Sequence, residues 1–166
     1  MDFLIINPKI PSQKKVDRVP NFGALCIASY LGARGYYAAI FDLVQESEEE
    51  LIYTIKDKKP KLIGFSCTSA ESYYEAHHVC KKIKSLVSTP VIVGGQHITG
   101  LMSEGANNLD CVFDCHISGP GEVSIAVLLS NLADGAIKLP PIIYSAPVDT
   151  FVSIDYKLYP NYNYYL

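Results

Sequence analysis

The chain has 166 residues, 49% of them apolar, and a formal net charge of −3 at pH 7. That length suits one domain with a substantial core. The mild acidity argues against a nucleic-acid binder, which shows a basic face, and no apolar run approaches the length of a membrane span.

FLIIN at Phe3–Asn7 reads as a first buried strand, ended by Pro8, which has no N–H to give the ladder. Residues 9–20 form a polar loop with two more prolines, and loops of that length at a strand end tend to be functional. From 21 to 34, Leu25, Ala28 and Leu31 recur at helical spacing, among small Gly23, Ala24 and Gly32, and Gly35 supplies the stop. Residues 37–41 are a second strand, closing at Asp42. Ser47 followed by Glu48, Glu49 and Glu50 is a helix start, with carboxylates in the positive first turn rather than a metal site. That helix runs to about Lys58, and the basic cluster KDKKPK at 56–61 is a solvated turn.

The stretch 61–99 organises the rest. Residues 62–65 and 91–93 are short apolar runs, each stopped at once by small or hydroxylic residues. Such runs suit strands buried on both faces of a parallel sheet. The segment between them is a crossover helix, capped by Ser69 or Ser72, with a buried face of Tyr73, Ala76, Val79 or Cys80, and Ile83. Thr99 opens a short helical or irregular segment to about 108. DCVFDCHI at 110–117 is a fifth strand, polar enough to lie near a sheet edge. SGPGE at 118–122 leads into a helix over 123–132, Asp134-Gly135 is a turn, and 140–144 has the makings of a last short strand.

This alternation predicts an α/β domain of the three-layer, flavodoxin-like (Rossmann-like) kind. Its five-stranded parallel sheet takes the order 2-1-3-4-5. The switch point falls between the first and third strands, so the loops at Asn7 and Ser66 flank the ligand crevice and those at Gly94 and Gly119 extend it. The domain covers residues 1–148. Residues 149–166, with tyrosines at 156, 159, 162, 164 and 165, read as a linker or docking tail toward something outside this chain.

Several familiar uses of the fold fail on their residues. There is no P-loop spacing, and Asn7-Pro8-Lys9 is not a dinucleotide fingerprint. The receiver aspartates are replaced by Asn7 and Ser66, and the first loop lacks a flavodoxin's hydroxyls. Cys111, Cys115 and His116 do not complete a tetrahedral metal set. Cys67, at a helix start and with His97 across the strand ends, is a candidate nucleophile that lacks an orienting third group. The cysteines, at 26, 67, 80, 111 and 115, are odd in number and scattered, which fits a reducing cytoplasm, and the amino terminus shows no signal peptide.

Together these pieces resemble the cobalamin-binding domain that precedes the catalytic barrel in cobalamin-dependent radical SAM enzymes. The likeness covers roughly residues 3–132. It rests on Asn7-Pro8, the helix entry at Pro20 and Gly23, IGFSCTSA at 63–70, VGGQHIT at 93–99 and GPGE at 119–122. The resemblance implies that the corrin ring lies over the carboxyl edge of the sheet and that the nucleotide tail enters between sheet and helices. It assigns cofactor binding to Asn7, Ser66, Thr68, Gly94, Gly95, Gln96, His97, Gly119, Gly121 and Glu122, with no catalytic residue and no metal ligand in the chain. Ser66 and Thr68 would hydrogen-bond the tail, Gly94 and Gly95 leave it room, and Glu122 act as an acceptor.

Two departures shape the expectation. The D-x-H-x-x-G motif that supplies an axial histidine is missing, so cobalamin would bind base-off with no histidine from the 7–20 loop. The cluster motif C-x-x-x-C-x-x-C is also missing, so a 4Fe-4S cluster and S-adenosylmethionine would belong only to a partner barrel, in cis or in trans. The resemblance therefore implies a non-catalytic, cytoplasmic module that presents the corrinoid for methyl transfer or related radical chemistry, with no nucleic-acid or membrane partner. The alternative is a flavodoxin-like interaction or regulatory domain that has lost the cofactor. A weaker third is a small hydrolase or transferase using Cys67 or Ser66.

Overall fold

The structure is a computed structural model and describes residues 1–13, 19–106, 110–133, 138–148 and 150–165. Strand and helix alternate as β1 (Phe3–Asn7), α1 (Phe22–Gly32), β2 (Ala38–Asp42), α2 (Glu48–Lys58), β3 (Leu62–Ser66) and α3 (Ala70–Leu86). They continue as β4 (Val91–Gly94), α4 (Gln96–Ser103), β5 (Cys115–Ser118), α5 (Gly121–Ala133) and β6 (Ile142–Tyr144). The sheet is wholly parallel, in the order β2-β1-β3-β4-β5-β6. The expected order holds, with a sixth strand added beyond the five, on the edge beside β5. The predicted turn at Asp134-Gly135 and part of the 9–20 loop lie outside the described residues.

Alternate residues of each strand face opposite layers. Leu4, Ile6, Ile63, Phe65, Val91 and Val93 pack under α2, α3 and α4. Phe3, Ile5, Leu62, Ile92, Cys115 and Ile117 pack under α1 and α5. The helices start where their caps dictate. Ser47 and Glu50 form a reciprocal capping box on α2, Ser69 and Ser72 form one on α3, and the Asn21 side chain accepts from the Ala24 N–H to cap α1.

Two boundaries differ from the sequence expectation. The fifth strand is short because residues 110–114 turn instead of extending. Asp110 folds its carboxylate back onto the Val112 N–H, a local bond that competes with the ladder. The helix after β4 begins at Gln96, three residues before Thr99, because Gly95 takes a positive φ of 104° and turns the chain directly off the strand.

The tyrosine-rich end packs on the domain itself. Two 3₁₀ turns, Tyr156–Leu158 and Tyr162–Tyr165, run along α1 and the carboxyl ends of β1 and β2. Tyr159 is 2% exposed, so this ring is buried without an outside partner. Phe151, by contrast, is 93% exposed. No helix among the described residues is long and apolar enough to cross a membrane.

Candidate functional site

The α1–α5 side of the sheet is not filled. Along β3 the residues facing it are Leu62, Gly64 and Ser66, and on β4 they are Ile92 and Gly94. Bulk therefore disappears toward the carboxyl edge. The helices opposite contribute Gly23 and Ile27 from α1, and Gly121 and Ile125 from α5. The result is a slot of about 400 Å³ between sheet and helices. Its inner end is apolar, made of Phe3, Ile5, Ile92, Ile117 and Ile125, and its polar groups, Ser66, Gln96, Thr99 and Glu122, gather toward the strand ends.

A second hollow of about 330 Å³ lies over the strand ends, lined in part by Asn7, Pro8, Pro20, Thr68 and Tyr165. Gly23, Ser66, Gly95 and Gln96 line both, so slot and basin share a rim. The basin sits in the crevice at the switch point between β1 and β3, where doubly wound sheets hold ligands.

The glycines do different work. A Cβ on Gly94 would meet only Ile117, at 3.4 Å from its carbonyl oxygen and 3.5 Å from its Cβ, so folding alone does not demand glycine there. A Cβ on Gly95 would lie 2.4 Å from the Cys67 carbonyl oxygen, at a φ that favours glycine, so packing of the two strand ends fixes this residue. Gly64 is replaced in space by Phe3, whose ring would lie 2.5 Å from an added Cβ. Gly119 turns the chain with φ 93° and donates its N–H to Thr99 Oγ1 at 2.9 Å. Gly121 brings α5 against Ile27, at 3.0 Å from an added Cβ.

The polar rim is wired together. Asn21 Nδ2 donates to Asn7 Oδ1 at 3.0 Å and to Ser66 Oγ at 3.1 Å, and Ser66 Oγ lies 3.3 Å from Asn21 Oδ1. Asn7 Nδ2 donates to Asp42 Oδ1 at 2.8 Å and to the Tyr159 hydroxyl at 3.2 Å. Asp42 is fully buried, and Val44 N, Gln45 Nε2 and the Tyr165 hydroxyl also donate to it. Burial pushes the Tyr159 phenol far above its usual range, so it stays a neutral hydroxyl.

Of the residues singled out from sequence, Ser66, Gly94, Gly95, Gln96, Gly119, Gly121 and Glu122 line the slot, and Asn7 and Thr68 line the basin. His97 lines neither of these hollows. Its backbone N–H donates to the Cys67 carbonyl and its ring packs at 5.6 Å on Tyr73. Cys67 fails as a nucleophile. It is completely buried, out of reach of a substrate, and burial drives its thiol pKa well up, which disfavours the thiolate. Asn21, Gly23, Gly64 and Thr99 line or wire the slot and are not among the cofactor-binding residues that the resemblance implies. Gly64 carried a signal, since a glycine inside a buried strand marks a close approach. Asn21 read only as a helix start.

Comparison with known proteins fixes the family. The B12 binding domain family model matches residues 14–129. The chain belongs to the B12-binding domain family. No curated protein matches the sequence. Among solved structures, this B12-binding domain is similar to part of the radical S-adenosylmethionine methyltransferase TsrM from Kitasatospora setae, solved with cobalamin and a 4Fe-4S cluster bound. The TM-score is 0.63 at 16% identity, over 81% of this chain and 25% of that one. It is also similar to part of the cobalamin-dependent S-adenosylmethionine radical enzyme OxsB, solved with aqua-cobalamin and S-adenosylmethionine bound. There the TM-score is 0.65 at 18% identity, over 82% of this chain and 19% of that one. At such identities the likeness is one of fold, and the chain spans a quarter or less of either enzyme.

Proposed function

We propose that this B12-binding domain holds cobalamin base-off, with the nucleotide arm in the slot and the corrin across the basin, for a radical SAM domain that acts in methyl transfer. The observation that carries the binding mode is Gly94. Its missing side chain is not required by packing, and the space it leaves opens into the slot. The volume falls in the range of small-molecule sites, roughly 300–1,000 Å³, and the mix of apolar wall and few polar groups is what such sites use. The residues present thus fit a long arm with an apolar end.

Bound cobalamin supplies the group-transfer chemistry. The chain's own part is to hold and orient. Gly94 clears the path, Gly64 makes room for the Phe3 ring at the floor, the Ile and Phe side chains exclude water from the inner slot, and Ser66, Gln96 and Thr99 offer hydrogen bonds at its rim. The base-off state is supported by the 7–20 stretch, which contains no histidine, and by His97, which packs on Tyr73 away from both hollows. The radical SAM partner and the methyl-transfer role are supported by the radical SAM enzymes whose parts share this fold. A 4Fe-4S cluster and S-adenosylmethionine then belong to that partner.

The test is to incubate the full chain with hydroxocobalamin, pass it over gel filtration and record the visible spectrum of the protein peak. Co-elution with a base-off spectrum supports the proposal. A base-on spectrum refutes the arm-in-slot mode. A colourless peak at micromolar ligand favours the cofactor-free interaction domain.

A further inference from the structure

The tail reaches the ligand site through hydrogen bonds, and this connection is specific to a few atoms. Tyr159 is buried in the domain, and its hydroxyl accepts from the Asn21 backbone N–H at 3.1 Å and from Asn7 Nδ2 at 3.2 Å. With both acceptor positions used, its proton points to Tyr165, whose hydroxyl donates to Asp42. The two rings meet edge to face at 5.6 Å. Further anchors hold the same segment. Asp155 N donates to Ser29 Oγ at 3.0 Å, and Gln45 Nε2 donates to the Pro160 carbonyl at 3.2 Å.

The contacts converge on one side chain. Asn21 is 9% exposed, caps α1, and its Nδ2 is the donor that meets Ser66 on the wall of the slot. Ser66 Oγ is bracketed by both ends of the Asn21 amide, at 3.1 and 3.3 Å. Asn21 thereby fixes which way the hydroxyl faces, leaving a lone pair toward the slot. Remove the Tyr159 hydroxyl and two donors, the buried Asn21 N–H and a half-buried N–H of the Asn7 amide, lose their acceptor. The least costly response is for the pair to move, and Ser66 moves with it.

We infer that Tyr159 is a positioning residue of the cobalamin site, acting through Asn21 on Ser66, so that residues 155–165 are part of the binding site and not only a connection to another domain. This rests on the function proposed above. It also gives the tail a reciprocal role. If the docked tail favours ligand, bound ligand must favour the docked tail by the same factor.

The test titrates the full chain with hydroxocobalamin, following the visible spectrum, for wild type, Tyr159→Phe, Asn21→Ser and the double variant. Phenylalanine keeps the buried ring. Serine keeps the α1 cap and loses the reach to Ser66. Each single variant is expected to bind about tenfold more weakly, the scale of one lost charge-free hydrogen bond and its unpaired partner. The double variant should lose less than the product of the two, because both act along one path. Amide NMR of the ligand-free proteins supplies a second readout. Tyr159→Phe should shift the Ser66 and Asn21 signals, whereas Ile55→Val, a core change under α2, should shift neither and leave the affinity unchanged.

Wild-type affinity in Tyr159→Phe, or losses that simply multiply in the double variant, would overturn the inference while leaving the proposed function intact. Failure of the wild-type chain to retain any corrinoid overturns both. If Tyr159→Phe does not fold, Asn21→Ser decides through the ligand-induced protection of tail amides from hydrogen exchange. Protection present in wild type and lost in Asn21→Ser supports the path, and protection retained overturns it.

Discussion

The two faces of one sheet have been built to opposite ends. Under α2, α3 and α4 strands β1 to β4 place Leu, Ile, Val or Phe, and the layer is closed, with Phe65, Phe113 and Tyr73 packed ring to ring at 5.7–5.9 Å. Under α1 and α5 the same strands place Gly64, Ser66 and Gly94 toward their carboxyl ends, and the layer is hollow. Neighbouring residues of a strand, such as Gly64 and Phe65, thus serve different purposes. The closed face carries stability, and the hollow face gives up packing for a cavity. The difference teaches that a glycine in this fold can be judged only by what its absent side chain would touch.

The closed face should show the largest stability effect. Ile83→Ala on α3, where the side chain is fully buried, is expected to cost about 2–5 kcal/mol by chemical denaturation. Its effect on hydroxocobalamin affinity should stay within about twofold, since the site lies on the other layer. A strong loss of affinity would mean that the two faces are not independent.

The hollow face should show the converse. Gly94→Leu extends into the slot past an ordinary contact with Ile117. It is expected to weaken corrinoid binding at least about a hundredfold while changing stability by no more than about 1 kcal/mol. Unchanged binding, read from the same spectral titration, would show that the arm lies elsewhere.

A smaller effect should sharpen the chemistry of the hollow. The inner slot offers a lower base only Phe3, Ile5, Ile92, Ile117 and Ile125. A corrinoid with an adenine base would bury ring nitrogens and an amino group without partners there. It should bind about tenfold more weakly than one with dimethylbenzimidazole. Equal affinities in a competition titration would place the base outside the slot.

The smallest effect lies in a flaw of the closed face. His116 is 3% exposed, and its Nε2 has no hydrogen-bond partner. Desolvation lowers its pKa below the usual value, against a weaker pull upward from the Pro141 carbonyl and Asp110. Because the folded pKa is the lower one, stability is intact above the unfolded pKa of about 6.5 and is lost as pH falls from there through the folded value. Urea midpoints should therefore decline modestly between neutral and mildly acid pH, and His116→Phe should flatten that decline.

Much of this plan was legible in the sequence, for physical reasons. Short apolar runs stopped by Ser66 and by Gly94-Gly95 located the strand ends, and the edge where they stop is the one that carries both hollows. What escaped was long-range. Residues 110–113 have strand-like composition, and only the Asp110 turn removes them from the sheet. Gly94 and Gly95 look alike in sequence, yet one opens a slot and the other only clears the Cys67 carbonyl. From sequence the tail reads as a linker or docking segment toward something outside this chain, and nothing local says where Tyr159 goes. The clue was α1 itself. FGALCIASYLG carries no charge and is buried at Ser29 and Tyr30 as well as Leu25. A helix apolar all round is covered on a second side, and the covering here is the tail.

Phe3 carries one more implication. Its ring stands in for the side chain that residue 64 lacks, so the depth of the slot is set by the first strand of the chain and not by a loop. A fusion that drags this strand two residues along its neighbours would take the Phe3 ring away from Gly64 and lower the floor of the slot, while leaving the rim residues outside β1, among them Ser66, Gln96 and Thr99, in place. Such a protein would accept bulkier arms and grip the ordinary one less firmly.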